Sequence, residues 1–219
     1  MQRIIEYTDD GSSTLFVPEL NEHYHSVKGA RAESQHVFID MGLKYVQTAC
    51  PRVLEIGFGT GLNAFLSLTA ASETGKKVHY TGLEIYPLEW DILTKLTYSG
   101  DPTFRQIHAA AWEVETEIGP CFTLLKKKAD FTEIHKGNGN GRYDVVYFDA
   151  FAPGKQPEMW ERQRFDYLYA VMNDGGALTT YCAKGVIRRI LQEAGFVVER
   201  LPGPPGGKRE ILRAVKYPI

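Results

Sequence analysis

Short apolar runs alternate with segments of helical periodicity through most of the chain. Apolar runs that indicate strands lie at 53–56, 78–84, 122–125, 143–149 and 177–181. Apolar residues recur at helical spacing at 62–71, from about 88, at 158–172 and at 184–194. Strands that alternate with helices favour a mostly parallel sheet with right-handed crossovers, so we expect an α/β fold.

The first part of the chain predicts an addition to this sheet. Residues 3–7 and 14–17 indicate two short strands around a polar turn, and residues 32–46 have helical spacing. These segments are too short to bury a core of their own. We therefore expect residues 1–50 to form an N-terminal extension and residues 51–219 to form the main domain.

The last part of the chain predicts how the sheet ends. Residues 196–201 and 210–215 indicate a closing pair of strands, one of them antiparallel to the rest. Two glycines in 173–176 predict the end of the preceding helix. The stretch 98–121 has no clear pattern, and 137–141 is a low-complexity tract.

A glycine-rich turn follows the first of the buried strands. Glu55 comes just before it, and the glycines are Gly57, Gly59 and Gly61. A dinucleotide-binding turn needs a small residue at the place of Leu62, so this ligand class is disfavoured. The spacing resembles the first motif of class I S-adenosylmethionine (SAM) methyltransferases. SAM has an ammonium group that a carboxylate near Glu55 could attract, and glycine lets the backbone pass close to it.

Two acidic residues follow the next strands, on the side of the sheet where such folds bind ligands. Glu84 ends the second strand, where an acid commonly accepts hydrogen bonds from both ribose hydroxyls. Asp130 follows the third strand and could accept from the adenine amino group, with Phe131 against the ring. The alternative for each acid is a solvated or helix-capping side chain.

Asp149 ends the fourth strand, where class I enzymes that act on nitrogen place their acceptor site. A carboxylate there can accept hydrogen bonds from an amine, orient its lone pair and take its proton directly or through water. Phe151 could stack on a flat acceptor, and Pro153 stiffens the turn. The alternative is an aspartate that only caps the turn.

The composition narrows the location and the partners. The chain has 219 residues, 43% of them hydrophobic and 24% charged, and its net charge is −2. No apolar run approaches membrane-spanning length, and the N-terminus lacks the pattern of a signal peptide. Three widely spaced cysteines form neither a metal-ligand pattern nor a disulfide framework. We expect a cytoplasmic protein without a metal or a membrane partner, and any nucleic acid must bind a local basic patch.

One longer motif is more specific than the glycine turn. Residues 148–160, Phe-Asp-Ala-Phe-Ala-Pro-Gly-Lys-Gln-Pro-Glu-Met-Trp, resemble the signature of the MnmC methyltransferase domain and its stand-alone relatives. His25 departs from that family's pattern, which usually has Phe there. Further segments similar to the same family are 24–26, 33–38, 54–62, 185–196 and 207–210.

The resemblance implies a fold, a reaction and a set of site residues. The fold is a Rossmann-like, mostly parallel seven-stranded sheet with one antiparallel strand. The family uses SAM to methylate the amine of 5-aminomethyl(-2-thio)uridine at the tRNA wobble position. Asp149 and Phe151 would act on the acceptor. The residues expected at the cofactor are Glu55, Gly57, Gly59, Gly61, Asn63, Glu84, Asp130 and Asp149. Those expected at the substrate, including the tRNA anticodon region, are Tyr24, Ser26, Pro153, Lys155, Arg188, Lys208 and Arg209.

The resemblance also bears on partners and leaves alternatives open. In the two-domain form of the family, the methyltransferase continues into a flavin-dependent oxidase. The resemblance here implies only the methyltransferase half, so we expect no FAD. A separate enzyme could supply the aminomethyl substrate. One alternative is a class I methyltransferase or an aminopropyltransferase acting on a small amine. Another is a module that holds SAM without catalysis. Arg188 is either a phosphate contact or part of a polar helix face, and Trp160 is more readily a packing anchor than a base stacker.

Overall fold

The computed structural model describes residues 1–134 and 142–218, so the low-complexity tract at 137–141 lies outside the described part. A small antiparallel sheet contains β1 (Ile4–Tyr7), β2 (Ser13–Val17) and β3 (Glu22–His23). A helical stretch follows as α1 (Ala30–Ser34) and a π-helical segment (Gln35–Leu43). The central strands are β4 (Arg52–Ile56), β5 (Val78–Glu84), β6 (Glu115–Glu117), β7 (Phe122–Lys128), β8 (Tyr143–Phe148), β9 (Met172–Thr180), β10 (Val197–Pro202) and β11 (Glu210–Val215). The other helices are α2 (Leu62–Thr74), α3 (Trp90–Leu93), α4 (Pro102–Ala109), α5 (Arg162–Val171) and α6 (Gly185–Glu193).

Within these ranges the central sheet has eight strands in the order β10-β11-β9-β8-β4-β5-β7-β6. β4, β5, β7, β8 and β9 run parallel, and β11 is antiparallel to both of its neighbours. This confirms the predicted α/β class and the antiparallel closing strand. The predicted count of seven strands is one too low, because β6 adds a short antiparallel edge strand to β7. Its sequence is Glu-Thr-Glu, which has no apolar pattern to reveal it.

Several helix boundaries differ from the predicted ones. The helix expected at 158–172 begins only at Arg162, because Pro157–Trp160 forms a separate 3-10 turn. The residues expected to end it, 173–176, belong to β9. Backbone hydrogen bonds with Lys216 hold this part of β9, so pairing in the sheet overrides the local preference of the two glycines. The helix expected from about residue 88 is only the short α3.

Both faces of the central sheet are covered, as a parallel sheet requires. Val53 and Tyr147 contribute to the core cluster that α2, α4 and the Gln35–Leu43 segment complete. Leu54 and Phe148 contribute to the opposite cluster, with side chains from α5 and α6. The segment before residue 51 shares the first core, although the boundary between extension and domain at residue 50 stays a prediction.

No helix in the described ranges combines the length and the apolar character needed to cross a membrane.

Candidate active site

A cavity of about 520 Å³ opens at the carboxyl ends of β4, β5 and β8. Neighbouring parallel strands end at the same edge of a sheet, so the residues that follow them meet there. The N-terminal extension closes another side with residues of β3, the loop after it and α1. Residues that line the cavity include Tyr24, Glu33, Gly59, Glu84, Asp130 and Asp149.

The glycine turn is the tightest part of the wall. Gly57 has a φ of 90°, and a Cβ atom there would lie 2.6 Å from the carbonyl oxygen of Asp149. Gly59 has a φ of 51°, and its Cβ atom would lie 3.1 Å from Cδ1 of Tyr24. Only glycine fits both the space and the backbone conformation. Gly61 also has a positive φ, but it begins α2 and does not line the cavity.

Glu84 is held in place by the backbone. Its Oε2 atom accepts from the Gly59 amide at 2.9 Å, and its Oε1 atom accepts from the Tyr86 amide at 2.8 Å. A carboxylate has about four acceptor sites, so two remain for a ligand. The side chain is therefore rigid and suited to accept from a ribose diol.

Asp130 combines the two roles that its sequence position allowed. Its Oδ1 atom caps the 3-10 turn at Phe131–Glu133 by accepting from the amide and the hydroxyl of Thr132, at 2.8 and 2.7 Å. The Oδ2 atom takes no part in that cap, and Asp130 lines the cavity. Phe131 is buried against Phe148 and lines the cavity beside it.

Asn63 joins two acidic side chains at the centre of the site. Its Nδ2 atom donates to Oε1 of Glu55 and to Oδ2 of Asp149, both at 2.8 Å. Glu55 is fully buried and does not line the cavity. Burial raises the pKa of Glu55 well above its usual value, which favours its neutral form, and Glu55 lies behind the cavity wall, away from a bound ammonium. Asn63 lines the cavity, and its Oδ1 atom is buried without a partner among the described residues.

Asp149 is poised to exchange a proton near neutral pH. Burial is the main cause that raises its pKa from 3.8 to about 7, and the negative charge of Glu33 adds to the effect. The hydrogen bond from Asn63 and the positive charge of Lys208 act in the opposite direction. A carboxyl group with a pKa close to the working pH suits general acid–base chemistry.

The loop after Asp149 is fixed by several contacts. Phe151 meets Tyr24 edge to face, with ring centroids 5.3 Å apart. The Phe151 carbonyl accepts from Nε1 of Trp160 at 2.8 Å, and its amide donates to Oε1 of Gln156 at 3.3 Å. Trp160 is buried in the core, which confirms the packing role predicted for it.

The structure brings Tyr24 and Ser26 to the cavity but leaves most of the expected substrate residues outside it. Ser26 lines the cavity, where its amide donates to Glu33. Lys208 also lines the cavity, where its ammonium donates to Glu33, and the phosphate contact expected of it stays a prediction. The expected substrate residues that do not line the cavity are Pro153, Lys155, Arg188 and Arg209.

Three residues of the site had no predicted role. Glu33 and His25 lie in segments that carried the family resemblance, but nothing in the sequence pattern showed that they line the cavity. Tyr181 follows β9, and its hydroxyl donates to the carbonyl of Ala150 at 2.8 Å. The signal that could have found Tyr181 is its place directly after a strand end, at the same edge as Asp149.

The described ranges contain no group of three or more His, Cys, Asp or Glu side chains arranged to hold a metal ion. The glycine turn and Glu84, which is held rigidly at the end of β5, suit the nucleoside part of SAM. Oδ1 of Asn63, which accepts no hydrogen bond from the described residues, suits the ammonium group of SAM. Fold and cavity together define a class I SAM-dependent methyltransferase.

Comparison with known proteins narrows this class. A family model described as S-adenosyl-L-methionine-dependent methyltransferase matches residues 122–217. The tRNA 5-methylaminomethyl-2-thiouridine biosynthesis bifunctional protein MnmC of Pseudomonas putida (strain W619) is 31% identical over 211 residues, which cover 86% of this chain and 31% of that protein. The crystal structure of MnmC2 from Aquifex aeolicus has a TM-score of 0.83 and 25% identity, and the match covers 99% of this chain and 71% of that chain. Spermidine synthase from Thermotoga maritima shares the fold, with a TM-score of 0.58, 14% identity and coverage of 99% and 80%.

The chain is a SAM-dependent methyltransferase that is similar in sequence and fold to the MnmC methyltransferases. It spans about a third of the length of the curated relatives it matches, since it covers 31% of each of the first two.

Proposed function

We propose that this protein transfers a methyl group from SAM to the amine of 5-aminomethyl(-2-thio)uridine at the tRNA wobble position. The product is 5-methylaminomethyl(-2-thio)uridine. The observation that carries the proposal is Asp149, a carboxylate with a pKa of about 7 in the wall of a cavity large enough for a nucleoside. The relatives named for 5-methylaminomethyl-2-thiouridine biosynthesis in tRNA support this acceptor.

In this proposal the donor side of the cavity holds SAM. Glu84 accepts from the ribose hydroxyls with the acceptor sites that its two backbone contacts leave open. Oδ2 of Asp130 accepts from the adenine amino group. Oδ1 of Asn63 accepts from the SAM ammonium, and Glu55 acts indirectly by fixing the Asn63 amide.

On the acceptor side of the cavity, the substrate amine must lose a proton before it can be methylated. An alkylamine is charged at neutral pH, much like a lysine side chain. Asp149 accepts a hydrogen bond from this ammonium and takes one proton, directly or through water, which frees the nitrogen lone pair. SAM supplies an electrophilic methyl group, so the new N–C bond forms as the C–S bond breaks and its electron pair stays on sulfur. Phe151 and Tyr24 shape the wall against which the uracil ring lies.

The macromolecular part of the substrate would lie outside the cavity. Three basic residues lie outside the cavity lining, namely Lys155, Arg188 and Arg209. Because they are positively charged and do not contact the nucleoside position, we assign them to phosphates of the anticodon region. The proposal also requires a source of the aminomethyl group, and we infer that a separate enzyme supplies it.

The experiment that tests the proposal is methyl transfer from labelled SAM to several acceptors. We expect rapid labelling of tRNA that carries the 5-aminomethyl group and little labelling of the same tRNA lacking it. Putrescine and spermidine should accept no label above background. Preferential labelling of a polyamine would replace the proposal with a small-amine enzyme, and SAM binding without transfer to any acceptor would indicate a module without catalysis.

A further inference from the structure

An ion pair between a buried carboxylate and a partly exposed ammonium lies in the same cavity as Asp149, and the chemistry proposed above does not use it. Glu33 of α1 is 6% exposed, and its Oε1 atom accepts from Nζ of Lys208 at 2.9 Å. Lys208 comes from the loop between β10 and β11, so the pair joins two distant parts of the chain. Both side chains line the cavity.

The pair is fixed beside the acceptor position. The Ser26 amide donates to the second carboxylate oxygen of Glu33 at 2.7 Å. The Lys208 ammonium lies 3.8 Å from the centroid of the Tyr181 ring. The Tyr181 hydroxyl in turn donates to the carbonyl of Ala150, the residue after Asp149. The geometry therefore places one extra negative charge and one positive charge in the cavity that Asp149 lines, where both act on its carboxyl group.

The tyrosine and histidine side chains around Asp149 and Glu33 are neutral near pH 7, and the carboxyl groups of Glu22 and Glu84 also line the cavity. Burial raises the pKa values of Tyr80 and Tyr181, so these hydroxyls keep their protons, and it raises the pKa of Glu55 well above its usual value, which favours the neutral form. Burial lowers the pKa of His25 to about 4, so it carries no charge. The charges that Asp149 meets near neutral pH are thus mainly those of Glu33 and Lys208.

We propose that Glu33 is a positioning residue for the acceptor amine and that Lys208 is its internal counter-ion. This inference rests on the proposed amine methylation and deepens it. An arriving alkylammonium carries the same charge and the same three donors as Lys208. It replaces Lys208 at Glu33 and donates to Asp149 at the same time, so two carboxylates direct it to the methyl group. Lys208 is 41% exposed and returns to solvent on the loop.

A purely mechanical role for the pair makes a different prediction. If Glu33 and Lys208 only attach the loop to α1, removing either charge weakens that attachment in the same way. If the pair sets the charge at the acceptor position, the two removals act in opposite directions on Asp149. Glu33→Gln takes away a negative charge, whereas Lys208→Met takes away a positive one.

The first experiment needs no acceptor. Carbon-13 NMR of the aspartate carboxyl groups should show one resonance that titrates near pH 7 and is absent in Asp149→Asn. We expect the midpoint to fall in Glu33→Gln and to rise in Lys208→Met, each by on the order of 1 pH unit. The exposed residues Glu73 and Lys77 provide matched controls, Glu73→Gln and Lys77→Met, which should not move it.

The second experiment measures kinetics with the tRNA acceptor. Glu33→Gln should raise the acceptor KM by about 10-fold, the loss expected for one charge-assisted hydrogen bond. SAM affinity should stay unchanged, and the acidic limb of the kcat/KM profile should move to lower pH. Lys208→Met sits on an exposed loop and keeps the test available if the buried Glu33→Gln variant does not fold.

The two experiments separate this inference from the proposed function. Unchanged midpoints, or midpoints that move in the same direction in both variants, overturn the inference whatever the acceptor is. Opposite shifts without any methylation of tRNA by the wild-type protein would keep the electrostatic pair and contradict the proposed substrate. An unchanged acceptor KM in Glu33→Gln, with active wild-type protein, shows that Glu33 does not position the amine.

Discussion

The chemistry depends on how single side chains are paired. The Asn63 amide donates hydrogen bonds to two acidic side chains, Glu55 and Asp149. Of these two, only Asp149 lines the cavity. Glu55 lies behind it, and burial raises its pKa well above the usual value. The site therefore contains a buried acid, Glu55, which fixes the Asn63 amide, and an ionisable acid, Asp149, which faces the cavity.

Replacing Asp149 with Asn tests its role in catalysis. Asn keeps the shape and one acceptor oxygen, but it can neither attract the ammonium electrostatically nor take its proton. We expect kcat to fall by about 10²–10⁴-fold, the usual contribution of a general base. SAM affinity should be nearly unchanged, and activity should recover partly at higher pH, where more of the amine is neutral. Near wild-type turnover at neutral pH would show that Asp149 only caps its turn.

The same variant should change how stability depends on pH. Below pH 3.8 the Asp149 carboxyl group is protonated in both the folded and the unfolded chain, so it does not change the free energy of unfolding as pH varies. Between there and about pH 7 the folded state keeps a proton that the unfolded state releases, so stability falls as pH rises. Asparagine does not ionise, so its variant does not lose this stability as pH rises. Asp149→Asn should therefore be the more stable protein above pH 7, by at most about 4 kcal/mol. Urea titrations at pH 4 and pH 8 measure the difference, and a gain that is equal at both values would contradict the raised pKa.

Replacing Glu84 with Ala tests the proposed ribose contact. The change removes two acceptors, each worth about 1.5–3 kcal/mol when it is charged and sheltered. SAM affinity measured by calorimetry should drop at least 10-fold, and Glu84→Gln should lose less because it keeps one oxygen. A loss no larger than that of the exposed control Glu73→Ala would leave Glu84 as a support for the turn only.

The positions of individual acids could be predicted, but their environments could not. Glu84 and Asp149 follow apolar runs, and the rule for strand ends placed both at one edge of the sheet. Nothing in the sequence shows that Asn63 lies between Glu55 and Asp149, because that contact depends on the path of α2. The pairing of Glu33 with Lys208 depends on residues 175 positions apart, which no local pattern reports.

At the scale of elements, the turn between β4 and α2 is the most constrained connection. Its glycines lie against Asp149 and Tyr24, so the turn links the donor and acceptor sides of the cavity. The sequence predicted β4, β5, β8 and β11 well because each has a strong apolar run. It failed at β6 and at the start of β9, where pairing with neighbouring strands decides the conformation.

The variant Gly59→Val tests this turn. Valine would be strained at a φ of 51° and would press on the Tyr24 ring. We expect SAM binding to be lost while far-ultraviolet circular dichroism stays native. Gly100→Val is the matched control, because Gly100 has open space around its Cβ position. Unchanged SAM affinity in Gly59→Val would place the cofactor elsewhere.

At the scale of the whole molecule, the N-terminal extension and the main sheet build one cavity together. Tyr24 and Glu33 come from the extension, and Glu84 and Asp149 come from the sheet. The resemblance motifs predicted that both parts matter. The relative placement could not be predicted, because it depends on packing of the Gln35–Leu43 segment against α2, β8 and β9.

The basic residues outside the cavity should serve the nucleic acid. Arg209→Gln should weaken tRNA binding and flatten its salt dependence, since each lost phosphate contact lowers the log–log slope by about 0.7–0.9. SAM affinity should not change. Filter binding at several salt concentrations gives the slope, with Arg105→Gln on α4 as a control. A slope equal to that of the wild type would mean that Arg209 faces away from the tRNA.

The most direct measurement of the central claim is the identity of the methylated product. Hypomodified tRNA is treated with the protein and SAM carrying a deuterated methyl group, digested to nucleosides and analysed by mass spectrometry. We predict that the label appears in 5-methylaminomethyl(-2-thio)uridine from the wobble position, on the exocyclic nitrogen. Label on another nucleoside, on a ring position or only on a small amine would contradict the claim.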